Sequence, residues 1–191
     1  MGWRNTRAGY GATMKILHWS VVAAFAFQFA AAAVMVRLGE GERFAGITQA
    51  NAYNWHKSIG LVALGLALLR LAVRRLDRLP EWAPGLSVRE RRLVHGYERA
   101  LYAMMILMPV AGYLYVMAGG YGVHLFEAVH LANPIGKLEW LAVVAKWAHI
   151  AGGWVIVVAL AAHVGLVLTH QLVKRDGLLL RMLPARRVRS R

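Results

Sequence analysis

Four long apolar stretches, separated by basic or glycine-containing connections, set the pattern of this chain. They run over Ile16–Val36, about His56–Val73, about Ala100–Ala118 and Trp147–Val173. Each is close to the roughly 20 residues that a helix needs to cross a bilayer. The first and fourth carry no formal charge; the second has Lys57 at its start and Arg70 near its end. The third contains Pro109, where a kink is expected because the proline ring removes a backbone donor. A secretory leader is the alternative for the first stretch, since Ala30–Ala33 could mimic a cleavage site. Its apolar run exceeds the roughly 7–15 residues of such a leader, and a span is the better reading. The predicted fold class is all-α, an integral membrane four-helix bundle forming a single domain over residues 1–191.

The connections differ in kind. Leu76 to Arg92 holds Pro80, Pro84 and Gly85 and reads as an ordered turn. Gly119 to Ala145 is the longest piece outside the spans. Its Gly119–Gly120 pair, the amphipathic segment HLFEAVHL and Pro134 predict one short helix lying on the surface.

Composition agrees with a bundle in lipid. Hydrophobic residues make up 59% and charged ones 17%, a balance that excludes an ordinary soluble domain. A net charge of +14 would suggest nucleic acid if it were spread over a polar surface, but it is sorted by connection. Eighteen lysines and arginines fall in the N-terminal tail, the stretch from Arg70 to Arg99, and the tail from Lys174 to Arg191. Only five, Arg37, Arg43, Lys57, Lys137 and Lys146, fall on the other side. By the positive-inside rule both termini and the middle connection are cytoplasmic. The basic excess is first a topology signal; binding to anionic lipid headgroups is an added consequence. No nucleic-acid partner is implied. With no cysteine there is no disulfide, iron–sulfur cluster, thiolate ligand or covalent haem attachment.

Histidine spacing then supplies candidate chemistry. His149 and His163 stand fourteen residues apart in the last stretch. At about 100° and ~1.5 Å per residue, they share one helix face at depths ~21 Å apart. One helix could thus offer an axial ligand to each of two haems stacked across a membrane. His18 begins the first span on the cytoplasmic side, and His163 lies late in the fourth, which ends there. His56 and His149 begin their spans on the other side. The expected pairs are therefore His18 with His163 and His56 with His149. Two imidazoles on one iron leave no position for oxygen and favour electron transfer. The alternative is polar side chains bridging helices in lipid, but intramembrane ionisable groups are costly and usually functional. The two levels lie too far apart to share a zinc or copper ion.

Other residues add to this frame. Gly60, Gly65, Gly112, Gly152, Gly153 and Gly165 leave room for flat macrocycles, or equally for close helix packing. Arg70 follows His56 by fourteen residues, on the same face and at the level of the other haem. There it could pair with a haem propionate, or snorkel to headgroups. His170 lies ~10 Å beyond His163 on nearly the same face. It could replace His163 as a ligand, or contact quinone or a propionate together with Lys174, one turn further on, although basic anchors are also common at that depth. His95 reads as interfacial, and His124 and His130 as solvated residues of the outer loop.

At these residues the chain resembles the bacterial cytochrome b-561 family of four-helix di-haem membrane proteins. The likeness covers KILHWS, NWHKSIGLVALGLALLRL, LYAMMILMPVAGY, AHIAGGWVIVVALAAHVGLVLTH and a closing RDGLLLRMLP. It implies two noncovalent haems b with axial ligands His18, His163, His56 and His149, in a multi-pass protein of the bacterial inner membrane. It further implies electron exchange with the quinone pool, ubiquinone being the expected partner, as a quinone-linked oxidoreductase or respiratory carrier. Some relatives pass electrons between superoxide outside and ubiquinone inside the membrane, so a periplasmic donor or acceptor is a further expectation. Relatives often carry histidine at the place of Glu98, a departure that the nearby His95 could offset. A second function is an anchor subunit passing electrons from a partner dehydrogenase or hydrogenase to quinone. The short outer loops and brief tails favour an independent protein. A transporter would want paired acidic residues or broken helices at mid-membrane.

Overall fold

Helical periodicity and two capping boxes explain most of the architecture. The structure is a computed structural model that describes residues 2–83 and 85–183. Pro84 of the middle connection, Pro184 of the closing motif and Arg186, Arg187, Arg189 and Arg191 of the basic tail lie outside the described residues. Four long helices follow in order: α1 (Ala12–Arg37), α2 (Gln49–Leu76), α3 (Val88–Ala118) and α4 (Glu139–Leu168). A π-helical turn, Thr169–Lys174, extends α4 before a 3-10 turn at Leu178–Arg181.

Each helix begins before the apolar stretch that predicts it, and in α2 and α3 hydrogen bonds to a polar cap set that start. Thr48 caps α2, with the Asn51 side chain reaching back to the cap backbone. Ser87 and Glu90 form the same reciprocal arrangement at the start of α3. Such boxes satisfy amide donors that the first helical turn leaves unpaired. Arg89, Arg91 and Arg92 therefore belong to the first turns of α3, not to the connection. The helix continues through Pro109. The Gly119–Ala145 connection is correspondingly shorter than expected, since α4 begins at Glu139.

Three helical segments are long and apolar enough to cross a membrane: Ala12–Arg37, Val88–Ala118 and Glu139–Lys174. The expected second span, within α2, is not among them. Lys57, Arg70, Arg74 and Arg75 interrupt its apolar character, yet three of these charges are used inside the fold. Lys57 donates to the Gly122 carbonyl, Arg70 meets His18 and Tyr102, and Arg74 pairs with Glu98. The apolar outer surface agrees with lipid as solvent. Trp147, Trp154 and Val158 of α4 are 62, 69 and 68% exposed.

α1 lies against α2, α3 lies against α4, and α2 also meets α3. The backbone of α4 packs closely along neither α1 nor α2. Side chains bridge that separation, and these include the histidines.

The expected surface helix in HLFEAVHL is instead a β-hairpin, so the fold is helical but not purely so. β3 (Val123–Leu125) pairs antiparallel with β4 (Val129–Leu131). The segment V-H-L-F-E-A-V-H-L alternates at period two, which puts Val123 inward and His124 outward. Val123 is 2% exposed, packed with Val116 and Met117, with Leu131 alongside. Phe126 and Glu127 turn the chain with φ of 50 and 62°. A second small hairpin joins β1 (Arg43–Phe44) to β2 (Ile47–Thr48) through Ala45 and Gly46, both at positive φ.

The opposite end gathers the N-terminal segment, the middle connection and the C-terminal segment. Buried Asn5 donates to the Arg78 carbonyl at 2.9 Å and accepts from the Gly11 amide at 2.8 Å. Lys15 and Trp19 donate to the carbonyls of Leu183 and Met182. The basic segments described thus share one end of the bundle, away from the hairpins.

Candidate functional site

Two histidine pairs bridge the separation between α4 and its distant neighbours. Near the hairpins, His56 of α2 faces His149 of α4 with ring centroids 6.1 Å apart. Near the termini, His18 of α1 faces His163 of α4 at 6.2 Å. The fourteen-residue spacing in α4 serves both levels from one face.

These distances suit an ion held between each pair. Imidazole–metal bonds run to about 2 Å and a ring nitrogen sits roughly 1 Å from its centroid, so two imidazoles on opposite sides of one ion hold their centroids about 6 Å apart. The ring nitrogens also show unmet demand. The Nδ1 atoms of His56 and His163 are buried without a hydrogen-bond partner. Unpartnered buried polar atoms are uncommon in folded proteins and call for an explanation.

Small residues make the hairpin-end pair possible. A Cβ on Gly112 would stand 3.0 Å from both Nδ1 and Cε1 of His149. A Cβ on Gly152 would collide with the Met108 sulfur at 2.6 Å. The Nδ1–H of His149 donates to the Met108 carbonyl at 2.9 Å, one residue before Pro109. That bond fixes the ring's tautomer and leaves the Nε2 lone pair for a metal, the usual outer-shell support of a ligating histidine. Gln28 donates to the His56 carbonyl at 3.1 Å and tethers α1 to α2 at the same level. A Cβ on Gly60 would come within 3.0 Å of that Gln28 nitrogen.

The terminal-end pair has ionic neighbours instead. Arg70 Nη1 approaches His18 Nδ1 at 2.9 Å, and a guanidinium can only donate, so Nδ1 accepts and Nε2 carries the proton; ligation through Nε2 requires Arg70 to release Nδ1. Arg70 Nε donates to the Tyr102 hydroxyl at 3.0 Å, and its guanidinium lies 5.7 Å from that ring's centroid. Arg74 pairs with Glu98 at 2.9 Å. The Tyr97 ring meets His163 edge-on at 5.2 Å. Arg70 thus reaches the level that its offset from His56 predicts, with His18 and Tyr102 as its partners. Glu98 pairs with arginine where a histidine would be neutral or cationic. His95 stands apart, its ring 5.0 Å from that of Trp82.

Tyr97, Tyr102, Gln28 and Met108 escape a reading of the chain alone. For Tyr102 a signal existed, because an arginine inside an apolar segment must find a hydrogen-bonding partner nearby. Met108 carries a weaker one, since its carbonyl borders the proline of α3.

His170 and Lys174 form a different cluster beyond the histidine pairs. His170 is fully buried, with Nδ1 2.5 Å from Asp176 and Nε2 3.2 Å from Glu90. Lys174 donates to the same Glu90 oxygen at 2.5 Å. Both ring nitrogens of His170 are therefore engaged within the protein. The adjacent imidazole holds the Asp176 carboxyl below its ordinary range by hydrogen bonding. Arg175, at φ 53°, turns the chain so that Asp176 folds back onto His170. A Cβ on Gly85 would overlap the Asp176 carboxylate, so the middle connection also closes over this cluster.

Apolar helices suited to a membrane, carrying paired histidines, define a helical membrane cytochrome. The family described as prokaryotic cytochrome b561 matches residues 9–185, and the chain belongs to that family. The family binds haem b, and the protein is accordingly a membrane electron-transfer cytochrome. No curated protein matches the chain.

Proposed function

We propose that this cytochrome carries two haems b at two depths and exchanges electrons with the quinone pool of the bacterial inner membrane. The observation that carries the reading is the pair of histidine–histidine separations, 6.1 and 6.2 Å, one near each end of α4. His56 and His149 would hold the outer haem, and His18 and His163 the inner one. Haem b supplies reversible one-electron chemistry when bound. With two histidines to each haem, no position on the iron would be left for oxygen.

The termini and the middle connection face the cytoplasm in this reading, because the basic residues gather at that end. α2 is the fourth crossing. Its inner charges meet partners within the bundle, which lowers the cost of placing them at membrane depth. Arg70 lies beside His18 and would balance a propionate of the inner haem, to which its fork-shaped donors are suited.

Quinone exchange belongs to the inner end, where Lys174, His170 and Glu90 form a hydrogen-bonded chain at the edge of the bundle. A quinone needs hydrogen-bond donors for its carbonyls and a proton route to water. Lys174 is the more accessible donor, its side chain 37% exposed against 0% for His170. His170 relays protons between Glu90 and Asp176 behind it. A headgroup reaches this cluster by taking the place of Glu90 on Lys174.

Haem quantitation with a reduced-minus-oxidised spectrum tests the cofactor assignment. Two haems per chain are expected, and one per chain would break the paired reading. Reduction rates with a short-chain quinol, in wild type and in Lys174→Gln with haem content intact, test the exchange site. Equal rates would move it away from Lys174.

A further inference from the structure

We propose that His124 and His130 form a zinc(II) site on the outward face of the β3–β4 hairpin, separate from the haem histidines. The two residues are direct cross-strand partners in the hairpin register. Both are exposed, their ring centroids are 4.6 Å apart, and His130 Nδ1 lies 3.3 Å from His124 Nε2. Zinc–nitrogen bonds of about 2.0–2.1 Å at a tetrahedral angle place two ligand nitrogens roughly 3.3–3.4 Å apart. The pair therefore already has the edge length of a zinc tetrahedron. A direct imidazole–imidazole hydrogen bond at 3.3 Å is long for N–H to nitrogen, so little is lost when a cation replaces it.

The strands that carry the pair are held in register from below. Val123 is buried against Val116 and Met117, and Leu131 packs into the same cluster. The Phe126 amide donates to the Ser58 hydroxyl at 2.8 Å, and Lys57 donates to the Gly122 carbonyl at 3.2 Å. These bonds dock the hairpin on the first turns of α2. Binding therefore costs little ordering of the backbone, and only the two side chains must settle. Among the described residues no third histidine, aspartate or glutamate completes a larger cluster. Glu127 is engaged with Asn51 at 3.0 Å. The chain thus supplies two ligands, and water fills the remaining positions. Imidazole suits zinc and copper, not magnesium or calcium, which take oxygen ligands.

Neither other histidine outside the haem pairs competes for the ion. Both nitrogens of His170 are taken within a fully buried cluster, and His95 packs against Trp82. The test is calorimetric titration of Zn2+ into tag-free, haem-loaded full-length protein at neutral pH. One ion per chain is expected, with affinity reduced at least ~10-fold, or about 1.4 kcal/mol, in His124→Gln and in His130→Gln. Unchanged haem spectra in both variants would show that the bundle is intact. A second measurement needs no variant: Cu2+ added at one equivalent to wild type should give an electron paramagnetic resonance spectrum with coupling to two imidazole nitrogens. Zinc binding that survives both substitutions, no zinc binding by wild type, or copper coupled to fewer than two imidazoles would each overturn the site.

Discussion

The two histidine pairs share α4 and nearly the same ring separation, yet their surroundings differ in charge. Around His56 and His149 the neighbours are neutral: the Met108 carbonyl, the Gln28 amide and the glycines at 60, 112 and 152. Around His18 and His163 stand Arg70, the Arg74–Glu98 ion pair and two tyrosines. Shape therefore sets the hairpin-end site and electrostatics sets the terminal-end one. A buried cation stabilises the more electron-rich state of a nearby redox group, because low-dielectric surroundings screen it weakly. In the two-haem reading, a haem held at the terminal-end pair should therefore have the higher midpoint potential of the two.

The largest effect should come from removing a ligand. His149→Ala or His56→Ala should abolish the outer haem, and His18→Ala or His163→Ala the inner one, lowering haem content by half in each case. Haem quantitation and redox titration of each variant check this. If His149→Ala and His18→Ala depleted the same spectral component, the two-level comparison would fail.

Next in size is the steric requirement of the hairpin-end pair. Gly112→Val should displace the His149 ring, since even a Cβ stands only 3.0 Å from it. Overpacking of this kind costs about 1–3 kcal/mol. Loss confined to the outer haem is expected, and equal loss of both would show that the glycine serves general helix packing.

Arg70→Gln probes the electrostatic half of the comparison. The inner haem should remain but its midpoint potential should fall by on the order of tens of millivolts, as expected for one partly buried charge a few ångströms away. The outer potential should hardly move. Equal shifts at both levels would remove Arg70 as the source of the asymmetry.

The smallest effect concerns acid stability at the terminal end. The Asp176 carboxyl is held below its ordinary range in the folded protein, first by its bond to His170. Its contribution is complete above the unfolded carboxylate value of about 3.9 and is lost as pH falls through the depressed folded value. Thermal unfolding of the detergent-solubilised protein between mildly acidic pH and pH 3 should show this loss. Asp176→Asn should be less stable at neutral pH and should flatten that part of the acid limb. An acid limb identical to wild type would mean that other carboxylates govern it.

Helical spacing is local, and it is legible without a structure. Fourteen residues make nearly four turns wherever a helix forms, so the shared face of His149 and His163 follows from covalent geometry. The same arithmetic carries Arg70 to the inner level. The apolar stretches announce the helices, because the bilayer requires backbone groups to be satisfied within the chain. Helix ends are less legible, since Thr48 and Ser87 extend α2 and α3 beyond their apolar windows.

Other features depend on which elements meet. HLFEAVHL has enough amphipathic character for a helix, but Val123 and Leu131 bury against α3 only when the segment pairs as a hairpin, and this packing overrides local preference. That pairing also sets His124 beside His130. The burial of His170 depends on Glu90 from α3 and on the left-handed turn at Arg175 that returns Asp176, contacts between residues far apart and close in the chain. What the sequence by itself determined was the spacing along each helix and the side to which charge is sorted, because both are properties of one segment. Which neighbour each buried polar group found was decided by tertiary structure, because a hydrogen bond or ion pair needs a partner at the right distance and angle.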